Sequence, residues 1–182
     1  ITKLYNLQTL RLQGCYSLEE LPKDLNKLVN LRHIYVDDSS YIHQSPKDMG
    51  ELNFLQTLSF FIVGQDEGHQ INQLGSLNQL SGKLDIKNLE NVRDQEEARS
   101  ANLAKLAKIN QLGFYWSDSS DRKVNHHIEE VLEALYPHQN LKSLTIDGFG
   151  GKKFPSWMLT SRNAMDALSP FYNLIKINLN HC

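Results

Sequence analysis

Gly148, Gly150 and Gly151, followed by Lys152 and Lys153, make the run GFGGKK, a composition able to wrap a phosphate. A nucleotide loop of the type GxxxxGK[ST] spaces its glycines so that backbone N–H groups encircle the phosphate, while a lysine and a hydroxyl reach phosphate and magnesium. Here Gly148 stands only three residues before Gly151, and Lys153 takes the place of the hydroxyl. The run therefore reads as a turn after a strand. His126, His127, Glu129 and Glu130 bring together two imidazoles and two carboxylates, the ligand types of zinc. A zinc-binding helix needs its histidines at i and i+4, whereas adjacent ones point apart, so a solvated helix face is expected. Asp118 and Asp121 in WSDSSD lack the oxygen spacing and the glycine of a calcium loop and read as solubilising loop residues. No GxSxG turn presents a nucleophile, and Cys15 and Cys182 have no base arranged beside them in the sequence. Neither an enzyme nor a metal centre is expected.

The elements that carry these residues are announced by LQTLRLQGC, residues 7–15. Leu10 and Leu12 alternate with polar residues as in a half-buried strand, but Leu7 and Cys15 need a further rule. The pattern LxxLxL supplies it, returning at Leu31, Ile34, Val36 and at Leu55, Leu58, Phe60. It returns again at Leu84 and Ile86 after a weak Ser81, at Ile109, Leu112, Phe114, at Leu141, Leu144, Ile146 and at Leu174, Ile177, Leu179. Intervals between the middle positions are 24, 24, 26, 28, 32 and 33 residues. The shorter ones match leucine-rich repeats, and the longer ones are the same unit with insertions. The fold class expected is α/β: an uncapped fragment of a leucine-rich-repeat solenoid of seven units spanning 1–182, with a parallel sheet on the concave face and helices and loops on the convex one. Strands are expected near 9–13, 33–37, 57–61, 83–87, 111–115, 143–147 and 176–180.

Between strands, Leu18, Leu21, Leu25 and Leu28 anchor a short return that Pro22 starts. Residues 94–108 are rich in Ala, Leu, Glu and Lys, with acids early and lysines late, and predict a full helix burying Ala98, Ala101, Leu106 and Ile109. HHIEEVLEAL predicts a second helix, with Ile128, Val131, Leu132 and Leu135 on one stripe and Pro137 beyond its end. SDSSDRK, 117–123, and GQDEGHQ, 64–70, read as mobile loops.

A net charge of −2 and a pI near 6.4 leave no basic footprint for nucleic acid or an anionic membrane. No apolar run approaches the roughly 18 residues of a membrane span. Cys15 and Cys182 hold the same place in units six apart, on the order of 29 Å at strand spacing, so they are expected as buried thiols suited to a reducing compartment.

In this register the third, fifth and seventh positions of each unit face outward. The candidate contact residues are Arg11, His33, Tyr35, Asp37, Phe61, Lys83, Asp85, Lys87 and Tyr115, because aromatic and cationic side chains on an open face concentrate binding energy. Tyr35 and Phe61 are expected to meet diagonally as a small apolar patch.

Several blocks resemble one family: LEELPKDLNKLVNLRHI, MGELNFLQTLSFFIVG, LSGKLDIKNLENV and, most specifically, LYPHQNLKSLTIDGFGGKKFPSWM at 135–158. They are similar, in the same order, to the leucine-rich-repeat part of plant intracellular immune receptors of the nucleotide-binding, coiled-coil class. The resemblance implies a cytoplasmic module that restrains the receptor's own nucleotide-binding domain and senses a pathogen effector, or a host protein that the effector modifies. It implies no cofactor here, ATP or ADP being held by a nucleotide-binding domain expected before Ile1. Two alternatives stay open: an extracellular leucine-rich-repeat receptor or inhibitor ectodomain, and the substrate-receptor part of a ubiquitin ligase. The ectodomain reading lacks its GxIP step and any Asn-x-Ser/Thr sequon.

Overall fold

The computed structural model describes residues 3–37, 41–117, 126–159 and 171–182. Asp118, Asp121, most of the 117–123 run and the His126 side chain lie outside the described residues. Among the described residues the leucine units form parallel strands laid down in chain order. Strands β1 (Thr9–Arg11), β2 (His33–Tyr35) and β3 (Thr57–Leu58) make one sheet. Strands β4 (Phe60–Ile62), β5 (Ser81–Lys87), β6 (Lys108–Tyr115), β7 (Ser143–Asp147) and β8 (Lys176–Asn180) make a second. Parallel neighbours require a return crossing after each strand, which sets the length of every unit.

The middle leucine positions fall opposite one another. Leu10 pairs with Ile34 and Ile34 with Leu58; Leu84 pairs with Leu112, Leu112 with Leu144 and Leu144 with Ile177. These side chains and those of the returns merge into one buried cluster running from Leu10 to Trp157. The returns are mostly single 3-10 turns, such as Leu25–Lys27, Met49–Glu51 and Leu103–Lys105, and each buries its first residue. Such turns let the chain reverse within a few residues while seating a leucine on the core.

Helix α1 (Gln95–Ser100) is shorter than the expected 94–108 helix. Asn102 adopts the left-handed conformation (φ 51°), after which a 3-10 turn carries Leu103 inward and the chain enters β6. Ala98, Ala101, Leu106 and Ile109 are all buried as expected, but Ala98 is on α1, Ala101 and Leu106 just follow α1 and the 3-10 turn, and Ile109 is on β6. The start of α1 is capped by Asp94, with Glu97 reaching back one residue further than in a capping box. The Asp94 side chain accepts from Glu97 N (2.8 Å), while Glu97 Oε2 accepts from Arg93 N (2.9 Å) and Arg93 Nε (3.0 Å). The Arg93 guanidinium is raised above its ordinary pKa, first by that hydrogen bond and then by the attraction of Glu97. Asp94→Ala is expected to cost about 1 kcal/mol by removing the cap. Denaturant unfolding checks it, and an unshifted midpoint would mean that the cap does not support α1.

Helix α2 (His126–Ala134) packs against α1 and buries Val131 and Leu132, with Leu135 just beyond its end and Ile128 partly covered. Asparagines link successive units from the side. Asn30 Nδ2 donates to Tyr5 O (2.9 Å), Asn140 Nδ2 to Ala107 O (3.1 Å) and Asn173 Nδ2 to Gln139 O (3.3 Å). Each satisfies a backbone carbonyl of the preceding return. Cys15 and Cys182 are exposed, correcting the expectation of buried thiols. Cys15 follows β1 and Cys182 follows β8, strands that each pair with one other strand among the described residues.

Candidate protein-recognition face

Strand alternation presents one open face, and its residues interlock along the sheet. In the three-stranded part, the Arg11 guanidinium lies 4.3 Å from the centre of the Tyr35 ring, directly across the β1–β2 register. Tyr35 in turn stacks on His33, with centroids 6.1 Å apart and planes within 17°. His33 Nδ1 lies 3.0 Å from Thr57 Oγ1 on β3. Asp37 accepts from Gly14 N (2.6 Å), tying the end of this strand to the turn after β1. Arg11, Tyr35 and His33 thus form one group, with Asp37 at the strand end beyond it; Arg11 is exposed and the others are half-buried. Cation and aromatic stacking of this kind contributes about 0.5–1 kcal/mol when exposed and more when a partner excludes water.

The five-stranded part is organised around a buried carboxylate. Asp85 is only 2% exposed and lies 2.7 Å from Lys83 Nζ, an ion pair on the same strand. A buried charge needs such a partner, since an unpaired one costs several kcal/mol. Space for it comes from Gly113, opposite Asp85 on β6, where a Cβ would collide with both the Asp85 carboxylate and the Tyr115 ring. Asp85, with Lys83 paired to it, and Tyr115 thereby meet over one glycine, a feature that the leucine pattern did not reveal. Lys87 Nζ lies 4.4 Å over the Phe60 ring. Between the two parts is a depression of about 480 Å³, lined by Tyr35, Asp37, Thr57, Ser59 and Lys83 among others.

Phe61 is not on this face. It was expected outward and is fully buried, which removes the expected Tyr35–Phe61 patch. The cause is a register slip at Ser59, where β3 ends and β4 has not begun. Continuing from Leu58 opposite Leu84 would set Phe60 against Ile86; instead Phe60 pairs with Asp85, Phe61 with Ile86 and Ile62 with Lys87. A slip of one residue exchanges the two faces of a strand, so Phe61 turns inward and Phe60 joins the Asp85–Lys87 side. A second irregularity, between Gly82 and Lys83, shifts the start of β5 against β6, while Lys83 to Ile86 keep a regular register with Gln111 to Phe114.

The residues that suggested metal or phosphate chemistry meet each other. Glu129 Oε1 accepts from Lys152 N (2.7 Å) and Lys153 N (3.2 Å), so the glycine-rich run encloses a carboxylate of its own chain. One turn further along α2, Glu133 Oε2 accepts from Ser156 N (2.7 Å). His127 instead approaches Glu130, at 3.9 Å. Among the described residues no group of His, Cys, Asp and Glu converges to hold a metal ion, and no helix is long and apolar enough to cross a membrane.

Comparison with known proteins agrees with this architecture. The sequence family described as R13L1/DRL21 LRRs matches residues 71–182. A protein named disease resistance protein RGA4 from Solanum bulbocastanum is 44% identical over 150 residues, covering 82% of this chain and 15% of that protein. Disease resistance protein RGA2 from the same plant is 41% identical over 153 residues, covering 84% of this chain and 16% of that protein. A disease resistance RPP13-like protein from Arabidopsis thaliana is 40% identical over 105 residues, 54% of this chain and 10% of its own length. The chain spans about one sixth or less of these relatives.

Proposed function

The chain belongs to the R13L1/DRL21 family of leucine-rich repeats, found in plant disease resistance proteins, and from that premise we propose that its open sheet face is a protein-recognition surface of a cytoplasmic immune receptor. The seven units form one solenoid whose concave side is this face. Its first partner is the receptor's own nucleotide-binding domain, which the contact restrains at rest. Its second is a pathogen effector, or the host protein that the effector modifies. ATP or ADP is held by the nucleotide-binding domain, and this part of the receptor recognises protein surfaces only.

The observation that carries the reading is the Arg11–Tyr35–His33 cluster, an aromatic ring in contact with a guanidinium and stacked with an imidazole on an open sheet. Aromatic and arginine anchors pre-set in this way lose little side-chain entropy on binding and supply most of the energy of an interface. Arg11→Ala combined with Tyr35→Ala is expected to weaken the contact by about tenfold or more. In the full-length receptor, expressed in leaf tissue at matched protein level, the expected result is cell death without an elicitor, because restraint is lost. A quiet resting state with the elicitor response abolished would assign the cluster to pathogen recognition instead. An unchanged response in both assays would remove these residues from any interface.

A further inference from the structure

Helix α2 is clasped to the segment after β7 by two carboxylates one turn apart. Glu129 takes the backbone N–H groups of Lys152 and Lys153, and Glu133 takes that of Ser156. Glu133 receives a second bond from the Ser156 hydroxyl, so one exposed serine supplies two of the four hydrogen bonds in the clasp. The next residue, Trp157, is buried, and its Nε1 donates to Leu132 O on the same helix (3.2 Å). Trp157 also packs on Tyr136 and Phe171, with ring centroids 6.2 and 5.6 Å away. The Ser156 hydroxyl therefore sits at the edge of the contact that holds α2 against the sixth strand unit.

We propose that Ser156 is a phosphorylation site whose modification releases α2 from the 148–158 segment. Three features of the site support it. Ser156 is exposed, and the exposed Lys152 and Lys153 stand four and three residues before it, a charge pattern that a serine kinase with an acidic substrate groove can hold. The segment is already built around a carboxylate, so the effect of added negative charge has a fixed sign. A phosphoserine carries about −1.5 to −2 charges and has no hydroxyl proton left to donate, so it faces Glu133 as a like charge where a hydrogen bond had been. The chemistry is ordinary phosphoryl transfer. The Ser156 oxygen forms the new O–P bond, the bond between the γ-phosphorus of ATP and its bridging oxygen breaks, ADP leaves with the electron pair, and the serine proton passes to the kinase's carboxylate base.

The test uses the full-length protein carrying this chain, incubated with ATP and a serine kinase directed at basic motifs. Phosphopeptide mass spectrometry locates the phosphate, and hydrogen exchange is followed over 126–135. The expected result is phosphate on Ser156 and exchange in α2 faster by about tenfold. Ser156→Ala should keep slow exchange under the same treatment; acceleration there would place the release at another residue and overturn the proposal. Ser156→Asp should reproduce fast exchange without kinase, and adding Glu133→Gln should bring it back towards the unmodified rate, because the amide removes the repulsion and can still accept from the backbone. Absence of phosphate at Ser156, unchanged exchange despite it, or no recovery in the double variant would each refute the idea.

Discussion

Leu144→Ala lowers the unfolding free energy of the chain by about 2–5 kcal/mol, the cost of deleting a buried isobutyl group and leaving a cavity. Leu144 has no exposed surface, and it lies in register between Leu112 on β6 and Ile177 on β8. Its neighbours are tied into parallel ladders on both sides, so the sheet has little freedom to collapse into the gap. Thr145, the next residue, points to the open face, where its hydroxyl accepts from Asn178 Nδ2 (3.1 Å). Thr145→Ala should therefore cost only about 0.5–1.5 kcal/mol, the net worth of that one hydrogen bond. Equilibrium denaturation of the two variants side by side is the measurement. Equal losses would mean that the face assignment of β7 is wrong.

Gly148→Ala is the second large effect, and it arises from backbone rather than core. Gly148 closes β7 with φ +74°, a left-handed conformation that costs an L-residue about 1–2 kcal/mol. A Cβ there would stand 2.5 Å from the Trp116 carbonyl oxygen, a backbone atom held by its own place after β6. Gly148 N donates to Asn180 O (3.0 Å), so the strand end cannot swing away without breaking the ladder to β8. Strain and collision together predict a loss of about 3 kcal/mol or more. Thermal unfolding measures it, and a melting temperature like that of the parent would show that the turn relaxes freely.

Much of the architecture was legible in the spacing of leucines. The middle positions Leu10, Ile34 and Leu58, and then Leu84, Leu112, Leu144 and Ile177, stand opposite one another as counted. Periodicity carries this because a parallel sheet repeats one environment at each unit. It fails where neighbouring units disagree. In FFIV no polar residue marks a face, so alternation alone could not say which phenylalanine turns inward; the offset against β5 decides it. The helix expected over 94–108 had favourable composition throughout, but the next strand begins at Lys108, and Asn102 turns the chain towards it. Glu129 was expected as part of a solvated helix face, because its partners are backbone amides 23 and 24 residues away, and no side-chain pattern records them. Arg11, His33, Tyr35 and Asp37 were legible as outward residues; that the first three would stack, and that Asp37 would tie down the Gly14 turn, was not.

The interruption at Ser59 also has a mechanical meaning. Sheets of uniform register behave as a stack of springs in series, and the extension under a given load gathers in the softest member. Between β3 and β5 the regular ladder is replaced by scattered bonds, such as Ser81 N to Gln56 O (2.9 Å) and Asp85 N to Ser59 O (3.2 Å). Bending and twisting should concentrate at that joint, between Tyr35 and Lys83, while the strands on either side move as stiff blocks. Any partner that bridges Tyr35 and Lys83 would thus act as a splint, and its own elasticity would govern how far the two halves of the face can flex.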